Sequence, residues 1–476
     1  MMRKKIVSLC MALALCLGLL PVTALAAGNA PNSLYVGDQQ VISGNNITYW
    51  TTNTDGKLTQ SAADQSWNVK YDPTSATLTL NDANISGSFH QYNKPYTATA
   101  GIYAQGSSGQ SVALTIDLIG ENTITGDMGI YVDAEASESS YGTDASLTIT
   151  SVNNGSLQVS GLYYGIYVKS GTGNASLNIK NVAVTSSTND NYAAGVYVMS
   201  SMYATNSPQL SLKVDGGSLT ASGTESSDGI LFYVGSSQAT GATTSLTVSE
   251  NAIVDARNGG ISASRISETL PTPTPTGDNS SGIVFDGSTG TVYGTVALQN
   301  ELTIGEGESL TVPEGSSLNC NEKLTNNGTI LASGGTVTGN LSSGAAVTTP
   351  SITAQPTGQT VTEGSAAEFS VTASAGDSET LTYQWQQSTD SGSSWTNIES
   401  ATSASYTISS TATDMSGNQY RCVVKSASGV SVISNAATLT VNQSVSPTSY
   451  SISADVDPAG AGTVTVNGSG TSATVT

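Results

Sequence analysis

The sequence predicts an all-β protein whose main body is a parallel β-helix with three short strands per coil, followed by a separate β-sandwich. Three observations predict this. The 476 residues include 50 Gly and only 10% charged side chains, and past the first 26 positions no long stretch repeats with the 3.6 period of an amphipathic helix. A short glycine-led strand motif recurs about every thirty residues, and a chain of this length calls for several domains or a repeat array. The composition then shifts at Thr348 to Pro350, where the repeat gives way to widely spaced aromatic and cysteine positions.

Residues 1–26 have the form of a secretory signal peptide. Arg3, Lys4 and Lys5 precede an apolar run from Ile6 to Leu20, and Ala24-Leu25-Ala26 supplies small residues at the cleavage position. The run is shorter than the roughly 20 residues that cross a bilayer. The expectation is an exported chain starting at Ala27, with no membrane insertion after signal removal. Losing three positive charges and no negative ones takes the formal charge from −21 to −24 and leaves 11 of the 14 Lys and Arg. So acidic a surface excludes nucleic acid and anionic membranes as partners. Cys10 and Cys16 leave with the signal. Cys320 and Cys422 remain, in different segments, with neither a disulfide framework nor metal-ligand spacing around them.

The repeat occupies the expected first domain, residues 27–345. Its first strand begins Gly101-Ile102-Tyr103, Gly129-Ile130-Tyr131, Gly165-Ile166-Tyr167, Gly195-Val196-Tyr197, Gly229-Ile230-Leu231, Gly260-Ile261-Ser262 and Gly282-Ile283-Val284, with glycine steps of 28, 36, 30, 34, 31 and 22. A second strand follows at Leu114, Leu147, Leu177, Leu210 and Leu246, in steps of 33, 30, 33 and 36. A third lies at Ser156–Val159, Val182–Val184, Ser218–Ala221 and Ala252–Val254. Three alternating apolar-in, polar-out strands per thirty residues build one coil of a solenoid. Loops between strands vary in length because bulging outward costs little. Asn122, Asn154, Asn181 and Asn251 recur in the turn before the third strand, where stacked amides would form an Asn ladder.

This pattern resembles the pectate-lyase-like superfamily, which implies a right-handed parallel β-helix. Trp67 to Ile85 reads as a hairpin and polar N-terminal cap; with Leu114 to Ile124 it is similar to a family of secreted clostridial β-helix proteins described as carbohydrate-binding. Pro271-Thr272-Pro273-Thr274-Pro275-Thr276 is a stiff polyproline-like insert (271–276), after which short strands resume from Leu302. In residues 350–441, Phe369-Ser370-Val371, Tyr383-Gln384-Trp385 and Tyr420-Arg421-Cys422 resemble strands B, C and F of an Ig-like β-sandwich of bacterial surface proteins. Val371 stands where a bridging cysteine would, so Cys422 has no partner. Residues 446–476 look like the truncated start of a further β-repeat module of Gram-positive surface proteins. The expected localisation is secreted or at the cell surface, with attachment through a C-terminal region beyond this sequence.

Alternation places Ile inward and therefore Tyr103, Tyr131, Tyr167 and Tyr197 outward, one ring per coil. Such a column is either a platform for the apolar faces of sugar rings or a tyrosine ladder that supports overlying loops. Two residues along, Gln105, Asp133, Lys169, Met199 and Tyr233 give the same face a mixed polar character, and Lys169 is the candidate basic group for a ligand or for proton abstraction beside Asp133. Asp133, Glu135, Glu138 and Asp144 crowd one loop and are candidate calcium ligands; the alternative is a solvated acidic loop. The resembled family's association with calcium and acidic polymers implies a bridging ion, since a chain at −24 repels polyuronates.

The β-helix pectin hydrolases carry an Asp pair, a Gly-His-Gly and an Arg-x-Lys. This sequence has no Asp-Asp pair, and its single histidine, His90, lies in Phe89-His90-Gln91-Tyr92 rather than between glycines. The expected function is therefore a polysaccharide- or glycan-binding protein without catalysis. The alternatives are a pectin-degrading lyase or hydrolase, and a passive stalk or protein-binding adhesin.

Overall fold

The computed structural model describes residues 29–444 apart from 63–64, 88, 91–98, 108, 135–142, 202–203, 205–206, 225, 267, 276–279 and 376–379, together with 466–467 and 474–475. The expected signal peptide and nearly all of 446–476 lie outside the described residues. The described chain is all-β, without α-helix, and divides between Val347 and Thr348 into two compact units.

The first unit is dominated by a large, mostly parallel sheet system in which the chain returns through three ladders. In the first ladder, Thr99–Gln105 pairs with the end of Glu121–Asp133, which pairs with the end of Ser156–Ser170, and then come Ala194–Ser200, Asp228–Val234 and Ile261–Arg265. Ile102, Ile130, Ile166, Val196, Ile230 and Ile261 stand in one register row and are buried in one continuous core. The second ladder runs from Thr77–Asn81 through Val112–Ile119 and Ala145–Thr150 to Thr243–Ser249. The third aligns Leu157, Val184, Leu219, Val254 and Val284.

These registers correct three expectations. Leu212, not Leu210, lies between Leu177 and Leu246, so the second-ladder steps are 30, 35 and 34 past Leu147. Gly282-Ile283-Val284 belongs to the third ladder, where Ile283 pairs with Ile253; this accounts for its short step of 22. The recurrent asparagines act chiefly through the backbone. Asn154, Asn181 and Asn251 have φ of 55°, 52° and 62°, the left-handed conformation that asparagine tolerates in a tight turn. Gly216, with φ 69°, takes the same place in the remaining pass. The Asn122 side chain does span passes, accepting from Ala83 N–H (2.9 Å) and donating to the Ser156 carbonyl (3.3 Å), and Asn251 Oδ1 accepts from Ala297 N–H (2.8 Å).

The leading glycines permit close approach at the corner between third and first ladders. A Cβ on Gly129 would lie 2.6 Å from the Gly165 carbonyl oxygen, and one on Gly165 would lie 2.6 Å from that of Gly195. A larger residue would push successive passes apart, so the motif repeats once per pass.

At the N-terminal end the edges are covered by antiparallel strands. Ser33–Val36 pairs with Thr99–Gln105, and the hairpin Val69–Asp72/Thr77–Asn81 leads into the second ladder. Covered edges present no unpaired N–H row to another chain. After Gly282–Asp286 the chain turns back through Thr289–Tyr293 and continues in smaller parallel ladders, in which Val296, Leu318 and Val337 align.

The second unit is several hydrogen-bonded groups of strands around one core. Thr382–Ser388 pairs with Gln419–Lys425, which also pairs with Val430–Ile433 and Ala437–Asn442; Ala367–Ser370 pairs with Ser405–Ile408. Trp385 stands opposite Cys422, Phe369 stacks on Tyr420 at 4.7 Å, and all four are buried. Cys422 and Cys320 are free and buried, and burial pushes each thiol up to about 11, so both stay protonated at neutral pH.

Candidate functional site

The tyrosine column exists in register but is closed. Tyr103, Tyr131, Tyr167 and Tyr197 occupy one row of the first ladder. Tyr131 and Tyr167 stack at 4.6 Å with 11° between planes, Tyr167 and Tyr197 at 4.9 Å, and Tyr164 stacks on Tyr197 at 4.7 Å. Yet Tyr131 is only 5% exposed, Tyr103 and Tyr197 are buried too, and only Tyr167 is half-buried. Ring face meets ring face, which leaves no open face for a sugar. The Tyr131 hydroxyl donates to Asp133 Oδ2 (2.8 Å), and the Tyr167 hydroxyl lies 3.0 Å from Met199 Sδ. Burial, then the charge of Asp133, pushes the Tyr131 phenol well above its ordinary range, and burial does the same to Tyr197. The phenols are neutral donors.

The adjoining row also aligns as expected. Gln105, Asp133, Lys169, Met199 and Tyr233 are register neighbours. Lys169 is 8% exposed and Asp133 is buried, so this row presents little polar surface. Of the four candidate calcium ligands, Glu135 and Glu138 lie outside the described residues. Asp133 receives the Tyr131 hydroxyl, and Asp144 Oδ1 accepts from Asn174 N–H (2.7 Å). Among the described residues no group of three or more His, Cys, Asp or Glu is placed to hold a metal ion.

The accessible rings lie one corner away, where the third ladder turns into the first. Leu162 and Tyr163 fill this turn in one pass, and Asn189 to Ala193 fill it in the next. Thr188 Oγ1 hydrogen bonds to the carbonyls of Leu162 (3.0 Å) and Tyr163 (2.7 Å), and Asn189 N–H donates to the Gly161 carbonyl (3.2 Å), which ties the two turns together. Asp190 Oδ1 accepts from Tyr192 N–H (2.7 Å) and shapes the second turn. Tyr192 is 95% exposed, Leu162 45% and Tyr163 37%. Polar groups frame them: Asn191 Oδ1 accepts from Thr224 Oγ1 (2.8 Å) in the following pass, and Asp127 binds Thr99 in a preceding one. Sequence reasoning missed this pair because strand alternation says nothing of turn residues. The available signal was a large aromatic in an otherwise polar turn, Asn189-Asp190-Asn191-Tyr192.

A family model described as a domain of unknown function (DUF8696) matches residues 351–443. No curated protein matches the chain. Among solved structures, the titin M10–obscurin-like 1 Ig complex is 17% identical and covers 21% of this chain and 100% of that one, with a TM-score of 0.16. Extracellular domains 3–5 of Drosophila OTK are 14% identical, covering 20% and 35%, TM-score 0.16. A chimeric titin Z1Z2 is 22% identical, covering 21% and 99%, TM-score 0.15. Among the described residues no helix is long and apolar enough to cross a membrane.

Proposed function

We propose that this is an exported or cell-surface polysaccharide-binding protein, in which a right-handed parallel β-helix presents a binding edge and an Ig-like module follows it. One observation supports the reading above the rest: two tyrosines and a leucine stand exposed on adjacent, mutually hydrogen-bonded turns, with amide and carboxylate groups beside them. Exposed aromatic faces stack on the apolar faces of sugar rings, and phenol hydroxyls and Asn191 reach ring hydroxyls. Successive passes are spaced by about 4.8 Å, so a glycan chain lying along the turns meets one pass after another. Asp127 and Asp190 make the edge acidic, which favours a neutral polymer over a polyuronate. The buried tyrosine column serves as packing beneath this edge.

The test is retention of the purified protein on immobilised neutral β-glucans, pectin and polygalacturonate, with calcium and with chelator, beside the double variant Tyr163→Ala/Tyr192→Ala. Retention on a neutral glycan, lost in the double variant and unaccompanied by new reducing or unsaturated ends, supports the reading. Retention that survives the double variant, or retention on polygalacturonate alone with calcium, sinks this site. A new chain end would make the protein an enzyme.

A further inference from the structure

The first and third ladders end at different passes. The first stops at Ile261–Arg265, whose far edge is met only by Glu268–Thr269, while the third continues one pass further to Gly282–Asp286. This leaves a step at the corner. Leu270 N–H still bonds to the Ala263 carbonyl (2.9 Å), but the residues that follow are Pro271, Pro273 and Pro275, which have no N–H to extend the ladder. Pro273 and Pro275 are buried while Thr272 and Thr274 are exposed, and all four line a space beside the step that is open to solvent. That space is a cavity of about 360 Å³, within the range of small-ligand pockets.

Its lining is amphipathic. Pro273, Pro275, Ile261 and Val284 supply apolar walls; Asp286, Thr289, Thr291 and Tyr293 of one hairpin supply polar groups, joined by Thr272 and Thr274 of the proline segment. Asp286 Oδ1 accepts from Ile261 N–H (2.8 Å), which fixes the carboxylate and leaves its second oxygen for another donor. Burial raises the Tyr293 phenol, opposed by a hydrogen bond with Thr291 and reinforced by the charge of Asp286. The tyrosine is thus a neutral hydroxyl in the same lining as a fixed carboxylate. Among the described residues no Lys or Arg lines the cavity.

We propose that this cavity is a binding pocket for a single neutral pyranose, held by Asp286 and Tyr293 through ring hydroxyls and by the proline and Val284 surfaces through its apolar face. A carboxylate that accepts from sugar hydroxyls while apolar walls cover a ring face is the chemistry that selects a polyol. The unopposed charge rejects an anionic sugar. The site is separate from the tyrosine edge and does not depend on that reading.

The experiment is saturation-transfer NMR on the intact protein with D-glucose, D-galactose and D-galacturonate in turn. The expected result is transfer to a neutral hexose and none to galacturonate, with affinity reduced about tenfold or more by Asp286→Asn/Tyr293→Phe. An unchanged melting temperature shows that this variant is folded. Thr274→Trp, which fills the space from an exposed position of the lining and leaves Asp286 and Tyr293 in place, removes the signal. Transfer persists in Tyr163→Ala/Tyr192→Ala, which separates the pocket from the edge. Absence of transfer from every sugar, equal transfer to galacturonate, survival in both pocket variants, or loss in the edge variant overturns the proposal.

Discussion

Two sets of tyrosines within the first unit show how little residue type says about role. Tyr103, Tyr131, Tyr167 and Tyr197 share a register row and pack face to face, nearly closed to solvent. Tyr163 adjoins that array in sequence, beside Tyr164 of the stack, and Tyr192 lies five residues before Tyr197, yet both stand open on turns. Rows of a parallel ladder put like residues directly above one another, and aromatic rings so placed satisfy each other. A turn has no such neighbour in register, so its ring is left to solvent or to a ligand.

The largest expected difference between the sets is in stability. Tyr131→Ala removes a buried ring that stacks on Tyr167 and meets Tyr103 at a tilt, and should cost about 4 kcal/mol by urea denaturation, whereas Tyr192→Ala should change stability by less than about 0.5 kcal/mol. Equal costs would erase the contrast between packing and platform. Gly129→Ala should cost about 2 kcal/mol, because the added Cβ meets the Gly165 carbonyl at 2.6 Å and disturbs the pass spacing on which the stack depends. A neutral result there would mean that the corner yields freely. Tyr131→Phe keeps the ring and leaves Asp133 without that donor; a loss of about 1.5 kcal/mol is expected.

A pH series sharpens the same comparison. Burial raises the phenols of Tyr131, Tyr164 and Tyr197 in the folded chain. Groups raised above their unfolded value contribute stability that is complete below about pH 10 and is lost as pH climbs beyond it. The denaturation midpoint should therefore fall above pH 10, and by less in Tyr131→Phe/Tyr197→Phe; an identical fall in that variant would assign the alkaline loss elsewhere. The smallest effect belongs to the second unit. Hydrogen bonds from Ser394 and Ser388 lower Asp390 to about 2, so its contribution is present above about pH 4 and disappears between there and pH 2. Asp390→Asn should reduce the loss of stability over that acid interval, measured on the tryptophan signal of that unit.

Much of the fold was legible. Gly-Ile-Tyr spacing placed Ile102 through Ile230 inward and the tyrosines in one row, because side chains alternate along a strand and stacked strands repeat their pattern. The composition shift at Thr348 coincides with the division between the two units. Register was less legible: Leu210 and Leu212 sit on the same face two residues apart, so pattern alone does not choose between them. Ile283 carried the right motif in the wrong ladder. The candidate site was least legible. Alternation put the tyrosine row outward but left platform and ladder as equal alternatives, because it fixes the direction of a side chain and not its exposure.

By itself the sequence determined what depends on local geometry: an all-β chain, the inward apolar row, the glycines and asparagines that turn the corners, and the free cysteines. Only the tertiary structure decided which aromatics reach solvent, which carboxylates already have partners, and that a proline segment and a hairpin line an open cavity at the uneven end. Local preference sets which way a side chain points within its strand. Accessibility is set by what stacks above and beside that strand, and those neighbours come from passes about thirty residues away.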